Sequence, residues 1–209
     1  MNVLARLAKD PRAAVGAEFA LITPILILFL LGIVDVGRMM WTWNRAEKAA
    51  QMGVRYAAVT DMADTVDEDG IANDAGLWTY DFYTSDNIAR GETIPEANFG
   101  SATCTADGCT CVPDTLPCGA AATGFTNTVA RMRAIMPEIQ AQNVTIEYSY
   151  SGLGYSGDPY GPDINPLITI RLSDVKFQPI LGYVFGLELT LPSFASTLSM
   201  EDGRWAISN

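Results

Sequence analysis

The order of apolar and polar positions divides the chain into a continuous apolar run, a helical stripe and, further on, short alternating segments. Residues 13 to 34 read AAVGAEFALITPILILFLLGIV, twenty-two residues with Glu18 as the single charge, preceded by Arg6, Lys9 and Arg12. As a helix this stretch covers about 33 Å, close to the hydrocarbon thickness of a bilayer. No small-x-small cleavage pattern follows it. Asp35, Gly37, Arg38 and Met39 lead instead into further helical sequence, so the segment reads as a retained anchor. Pro24 removes one backbone donor and frees the carbonyl of Ala20, which a span tolerates when neighbours satisfy the freed group. In residues 39 to 59, Met39, Trp43, Ala46, Ala50, Gly53, Val54 and Ala57 recur at helical spacing as one narrow face of small residues. Arg45, Glu47, Lys48, Gln51 and Arg55 fall elsewhere, which predicts one long continuous helix. Trp41 and Trp43, with Arg38 and Arg45, stand where that helix leaves the outer membrane surface, as an aromatic belt does.

Downstream, residues 61 to 120 are rich in Asp, Gly, Thr and Asn, and SGLGYSGDPYGPDINP (151 to 166) reads as turns interrupted by Gly and Pro. Phe125, Val129, Met132, Met136 and Ile139 lie at helical spacing and predict a helix bent or restarted at Pro137. NVTIEYSYS (143 to 151) alternates Val144, Ile146, Tyr148 and Tyr150 against polar neighbours, and ITIRLSD (168 to 174) does the same with Ile168, Ile170 and Leu172. LELTLPSFASTLSMED (187 to 202) supplies a third strand in which Pro192 marks an edge, bulge or break. The expected class is α+β: an N-terminal transmembrane helix continues into a long amphipathic helix, packed with a second helix on a small antiparallel sheet, with a long disulfide-bearing loop insertion. The expected organisation is a basic cytoplasmic leader (1–13), a transmembrane helix (14–37), an amphipathic extension (38–60) and an exported acidic domain (61–209) with a Cys-containing loop at 101–120.

Composition narrows the function. The 209 residues suffice for one domain and an appendage, and 13 Lys and Arg against 24 Asp and Glu give a net charge of −11. With no His, a Ser-His-Asp hydrolase is excluded. No phosphate loop or convergent catalytic group is visible, so no enzyme is expected. Residues 1 to 60 carry a net +3 and residues 61 to 209 a net −14. The acidic part repels phosphate backbones and argues against nucleic acid as a partner. The basic leader favours a cytoplasmic N-terminus and export of the remainder.

Export places Cys104, Cys109, Cys111 and Cys118 in an oxidising compartment, where four cysteines in a short loop are most simply two disulfides. A Cys109–Cys111 ring is disfavoured by disulfide geometry, which leaves Cys104–Cys111 with Cys109–Cys118, or Cys104–Cys109 with Cys111–Cys118. The spacing C-x4-C-x-C-x6-C lacks paired C-x2-C knuckles, so neither a metal nor another cofactor is expected. DTVDEDG (64 to 70) resembles a calcium loop only in part. Thr65 occupies its first position and Gly76 the position that needs a bidentate Glu, so it reads as a solvated acidic turn. Glu18 costs about 2.5 to 3.5 kcal/mol if placed centrally in a bilayer. It either snorkels to the cytoplasmic surface or is kept for a partner.

The block RLAKDPRAAVGAEFALITPILILFLLGIVDVGRMMWTWNRAEKAAQMGVRYAAV resembles the N-terminal signature of TadE-like pilus assembly proteins. It has a basic leader, a five-residue step to Glu-Phe, an apolar run containing Pro, then Gly, an acidic residue, Gly-Arg, aromatics and a small-residue helix ending in Gly-x-Arg-Tyr-Ala. The resemblance implies a minor pseudopilin of the tight adherence (Flp-type) system, a single-pass protein of the bacterial inner membrane with its C-terminal domain periplasmic or extracellular. It implies cleavage by a prepilin peptidase between Ala13 and Ala14, with Ala13 where the family usually has Gly. Glu18 would then be the fifth mature residue and Phe19 its aromatic neighbour, both serving assembly with other pilins and pseudopilins through the N-terminal helix. A second class is a membrane-tethered, exported acidic module that binds calcium or a surface. A third, an anchored hydrolase using Asp or Glu, lacks any feature that orders two carboxylates into an acid/base pair.

Overall fold

A computed structural model describes residues 11–60, 91–93, 95–96, 101–112, 123–158 and 161–200. The leader residues Arg6 and Lys9, the acidic turn 64–70 and Cys118 lie outside the described residues. The chain forms two compact units, one of residues 1–43 and 176–190, the other of residues 44–175 and 191–209. Helix α1 spans Pro11–Ala58, and its 48 residues measure about 72 Å. Pro11 opens it, where a missing N–H costs nothing, and Pro24 is accommodated inside it.

In the larger unit the small-residue face of α1 becomes core. Ala46, Ala49, Ala50, Val54, Ala57 and Ala58 are buried, whereas Glu47, Lys48, Gln51 and Arg55 are exposed, as the periodicity predicts. Gly53 shows how close the packing is. A Cβ there would lie 2.8 Å from Met132 Cγ and 3.0 Å from Ile170 Cδ1. Those neighbours belong to α2 (Thr123–Arg133) and to a central strand, so α1 and α2 both cover this part of the sheet.

The sheet has five antiparallel strands in the order β2-β1-β3-β6-β9. They are β1 (Ser101–Thr105), β2 (Gly108–Val112), β3 (Val144–Ser149), β6 (Leu167–Leu172) and β9 (Phe194–Ser199). Period-two alternation sets the register: Val144 faces Leu172, Ile146 faces Ile170 and Tyr148 faces Ile168, all six buried. The opposite face is polar, with the Thr169 and Thr197 hydroxyls 2.9 Å apart and Arg171 donating to Glu147 at 2.9 Å. The hydrogen bond and charge of Glu147 raise the Arg171 pKa further above its ordinary value.

Two stretches expected to be loops form strands. The cysteine segment folds as the β1–β2 hairpin, turning at Ala106-Asp107, and β1 continues the sheet by pairing with β3. Alternating Ala102 and Cys104 are buried there, which gives a Thr-rich segment its apolar face. Within 151–166, β4 (Gly154–Asp158) and β5 (Gly161–Ile164) pair as a separate hairpin with a register shift between Tyr155 and Asp158. Gly is compatible there with a register irregularity rather than with the absence of pairing. In the segment 187–202 Pro192 marks a break, one of the outcomes expected there: β8 (Leu189–Thr190) and β9 lie on either side of it and belong to different sheets.

The smaller unit holds α1 up to Trp43 and a strap, residues 176–190. The strap consists of β7 (Lys176–Phe177), helix α3 (Ile180–Phe185) and β8, with Lys176 opposite Thr190 and Phe177 opposite Leu189. Gly186 caps α3 at φ 69°, a conformation that favours glycine. At Gly182 a side chain would collide with the Leu187 carbonyl and the Pro179 ring, so the strap can fold back on itself only around a glycine.

Candidate functional site

The candidate site is the N-terminal part of α1. Ala13 and Ala14 lie in its opening turns, Glu18 follows one turn later, and the side chains of Glu18 and Phe19 are exposed. Apolar side chains from Val15 to Val36 project outward, Phe19 being 69% exposed. The most apolar eighteen-residue window has a mean hydropathy of 2.6 and is 6% buried, which distinguishes it from the core helix of a water-soluble domain. By length and composition the helix can cross a membrane. The polar groups inside it are handled locally. Thr23 donates its hydroxyl to the Phe19 carbonyl at 2.6 Å, which spares that oxygen-bearing side chain an unpaired position in an apolar medium. Phe19, Ala20, Thr23, Pro24, Ile27 and Leu28 line a shallow, open apolar face around the proline.

At the other end of the apolar surface the structure assembles a polar cluster that the sequence pattern leaves hidden. Asp35 is 7% exposed, and its carboxylate accepts from the backbone N–H groups of Ile180 at 2.6 Å and Leu181 at 2.9 Å. Arg38, one turn on, donates to the same carboxylate at 3.2 Å and places its guanidinium 5.5 Å from the Phe177 ring centroid. The carboxylate thus supplies acceptors to the first N–H groups of α3, whose preceding residue Pro179 offers no side-chain cap. In sequence Asp35 is only the first charge after an apolar run, and its partners lie some 145 residues away. The sole local signal is Pro179 ahead of a short apolar stretch closed by Gly186.

Of the cysteines, Cys104 and Cys109 form a disulfide across directly opposed positions of the β1–β2 hairpin. This removes the alternative that joins Cys104 to Cys111. Cys111 lies in β2 opposite Ala102. Among the described residues no group of three or more His, Cys, Asp or Glu side chains is arranged to hold a metal ion.

Residues 13–55 match the family model of TadE-like proteins. The matched stretch begins at the candidate processing position, contains Glu18, Phe19 and Asp35, and ends within the small-residue face of α1. No curated protein and no solved structure matches the chain.

Proposed function

We propose that this chain is a minor pseudopilin-like structural component, not an enzyme, that assists assembly of a tight adherence (Flp-type) pilus or secretion filament. The observation that carries the reading is the coincidence of the family match at residues 13–55 with a helix whose apolar surface is left outside the protein core. In this reading residues 14–37 anchor the chain in the inner membrane, with the leader cytoplasmic and residues from about 40 onward exported. A prepilin peptidase cuts between Ala13 and Ala14. The bond lies in the opening turns of α1, where intrahelical N–H partners are missing and the helix frays most readily into an extended, cleavable form.

Cleavage removes the basic leader and creates an amino group at Ala14. Among packed N-terminal helices Glu18 is then a carboxylate in a low-dielectric surrounding that meets this cation on a neighbouring subunit. The pair sets the register between helices. Exposed aliphatic side chains and the face around Pro24 supply the packing.

The test compares wild type, Glu18→Ala and Glu18→Gln by co-purification with other pilins and by pilus number per cell. Both variants are expected to insert and to be processed. Loss of the pairing leaves a buried cation, an effect of about 3 to 5 kcal/mol, so co-purification and pilus number should fall at least about tenfold. Wild-type assembly in both variants would make Glu18 a passive surface residue and leave the chain a tethered module.

A further inference from the structure

The strap carries an apolar surface that neither the anchor nor filament assembly accounts for. Between Tyr183 and Leu189 the large side chains point outward: Tyr183 is 72%, Phe185 59% and Leu187 56% exposed, and Leu189 is exposed as well. The one charge in that stretch is Glu188, whose carboxylate lies 3.9 Å from Lys176 Nζ. An isolated exposed apolar side chain needs no explanation, but four within seven residues on a lobe built around two glycines do.

The position of this lobe along α1 is fixed by chemistry already described. The Asp35 carboxylate binds the backbone of Ile180 and Leu181, and Arg38 bridges Asp35 to the Phe177 ring. The start of α3 is therefore held level with residue 35. From Val15 to Asp35 the helix rises about 30 Å, one hydrocarbon thickness. The outward apolar surface of α1 reaches Val36 on the same level, and Trp41, about 9 Å further along, is exposed as an interfacial aromatic would be. The exposed side chains from Tyr183 to Leu187 thus lie within seven residues of backbone that is held at the end of the apolar run.

We infer that residues Tyr183–Leu187 form a second membrane contact, seated at the boundary between headgroups and acyl chains of the outer leaflet of the bilayer that α1 crosses. This inference rests on the anchoring role of α1. Tyr183 and Phe185 have the composition of interfacial anchors, an apolar body with or without a polar tip. The same geometry explains how an aspartate is tolerated at that depth: the strap and Arg38 satisfy its oxygens, so no bare carboxylate faces lipid. The contact is apolar, with no cluster of basic side chains among residues 176–190, so it takes neutral phospholipid as well as anionic phospholipid.

The experiment places the photo-reactive residue benzoylphenylalanine singly at Ile25, Gln51, Tyr183 and Phe185 of the full chain, reconstituted in phosphatidylcholine vesicles. Ile25 reports the span. Gln51, exposed on the polar face of α1 in the larger unit, reports the aqueous side. Lipid adducts are expected at Ile25, Tyr183 and Phe185, each at least about tenfold above Gln51, with unchanged yield when phosphatidylglycerol replaces half of the lipid. Adducts at Ile25 with none at Tyr183 or Phe185 overturn the strap contact and leave the anchor intact. Absence of adducts at Ile25 overturns the anchor itself. Protein dimers in place of lipid adducts at Tyr183 and Phe185 assign the patch to a second copy of the chain and overturn the lipid contact.

Discussion

Arg45 shows how a side chain legible as a helix position acquires its partners only on folding. Its guanidinium donates through Nε and Nη2 to the Ile135 carbonyl at 3.1 and 3.0 Å, and through Nη1 and Nη2 to Glu138 at 3.2 and 3.1 Å. It clamps the turn after α2 to α1 within the larger unit. A planar fork donates in pairs to a carbonyl and a carboxylate from several nitrogens at fixed spacing, a geometry that the single nitrogen of an ammonium does not reproduce. Arg45→Ala and Arg45→Lys are both expected to destabilise this unit by about 1 to 3 kcal/mol, since a charged hydrogen bond to backbone is lost. Glu138 is mostly exposed, so Glu138→Ala should cost less than about 1 kcal/mol. Thermal unfolding of the detergent-solubilised full chain measures all three. Equal losses for Arg45→Ala and Glu138→Ala would show that the carboxylate, not the Ile135 carbonyl, carries the clamp. Asp35 follows the same rule: its residue type and position are plain in the sequence, but the two N–H groups it serves are made adjacent only by folding.

Among the elements, α1 is the most legible because two different periodic patterns describe its two ends. An unbroken apolar run needs an apolar solvent, and a narrow stripe of small residues needs a close neighbour. Gly53 is the point of closest approach. A mid-helix glycine costs about 1 kcal/mol relative to alanine, so its presence calls for a packing reason, and Met132 and Ile170 supply it. In Gly53→Ala that helix gain offsets displacement of the flexible Met132 side chain, and stability should stay within about 1 kcal/mol of wild type. Gly53→Leu should lose about 1 to 3 kcal/mol by overpacking. A Leu variant that melts with wild type would mean that α1 does not lie this close to the sheet. The strands β3 and β6 were equally legible from alternation. The β1–β2 and β4–β5 strands were not: Thr and Cys predominate in the first pair, whose pairing is completed by β3 and a disulfide, and Gly and Asp in the second, which forms a separate two-stranded sheet.

For the whole molecule, the three basic residues ahead of the apolar run, Arg6, Lys9 and Arg12, are what favour the proposed orientation, with the leader cytoplasmic and the remainder exported. The Cys104–Cys109 bridge offers a test of that orientation. It closes a hairpin ring of six residues and contributes about 2 kcal/mol through the entropy of the unfolded chain. On the proposed topology it forms outside the cytoplasm. In a Cys111→Ser, Cys118→Ser variant, cells quenched in acid and alkylated with a maleimide should show no labelled protein until a reductant is added. Full labelling before reduction would place the hairpin in the cytoplasm and contradict export. A periplasmic reporter fused after Asn209 should be active on the same grounds.

The anchor-type helix, its small-residue continuation, the α+β class and two central strands are all legible in the order of residues along the chain. Each is a matter of periodicity over consecutive residues, and a helix or strand pattern can be read wherever one face is apolar and the other polar. Tertiary structure alone decided which cysteine faces Cys104, that Pro192 separates two strands belonging to different sheets, and that residues 176–190 close over Asp35. Those outcomes depend on backbone groups, which carry no residue identity. Any N–H can satisfy a carboxylate, and any strand edge can accept a hairpin. Which of them does so is set by the position to which the rest of the fold brings each segment.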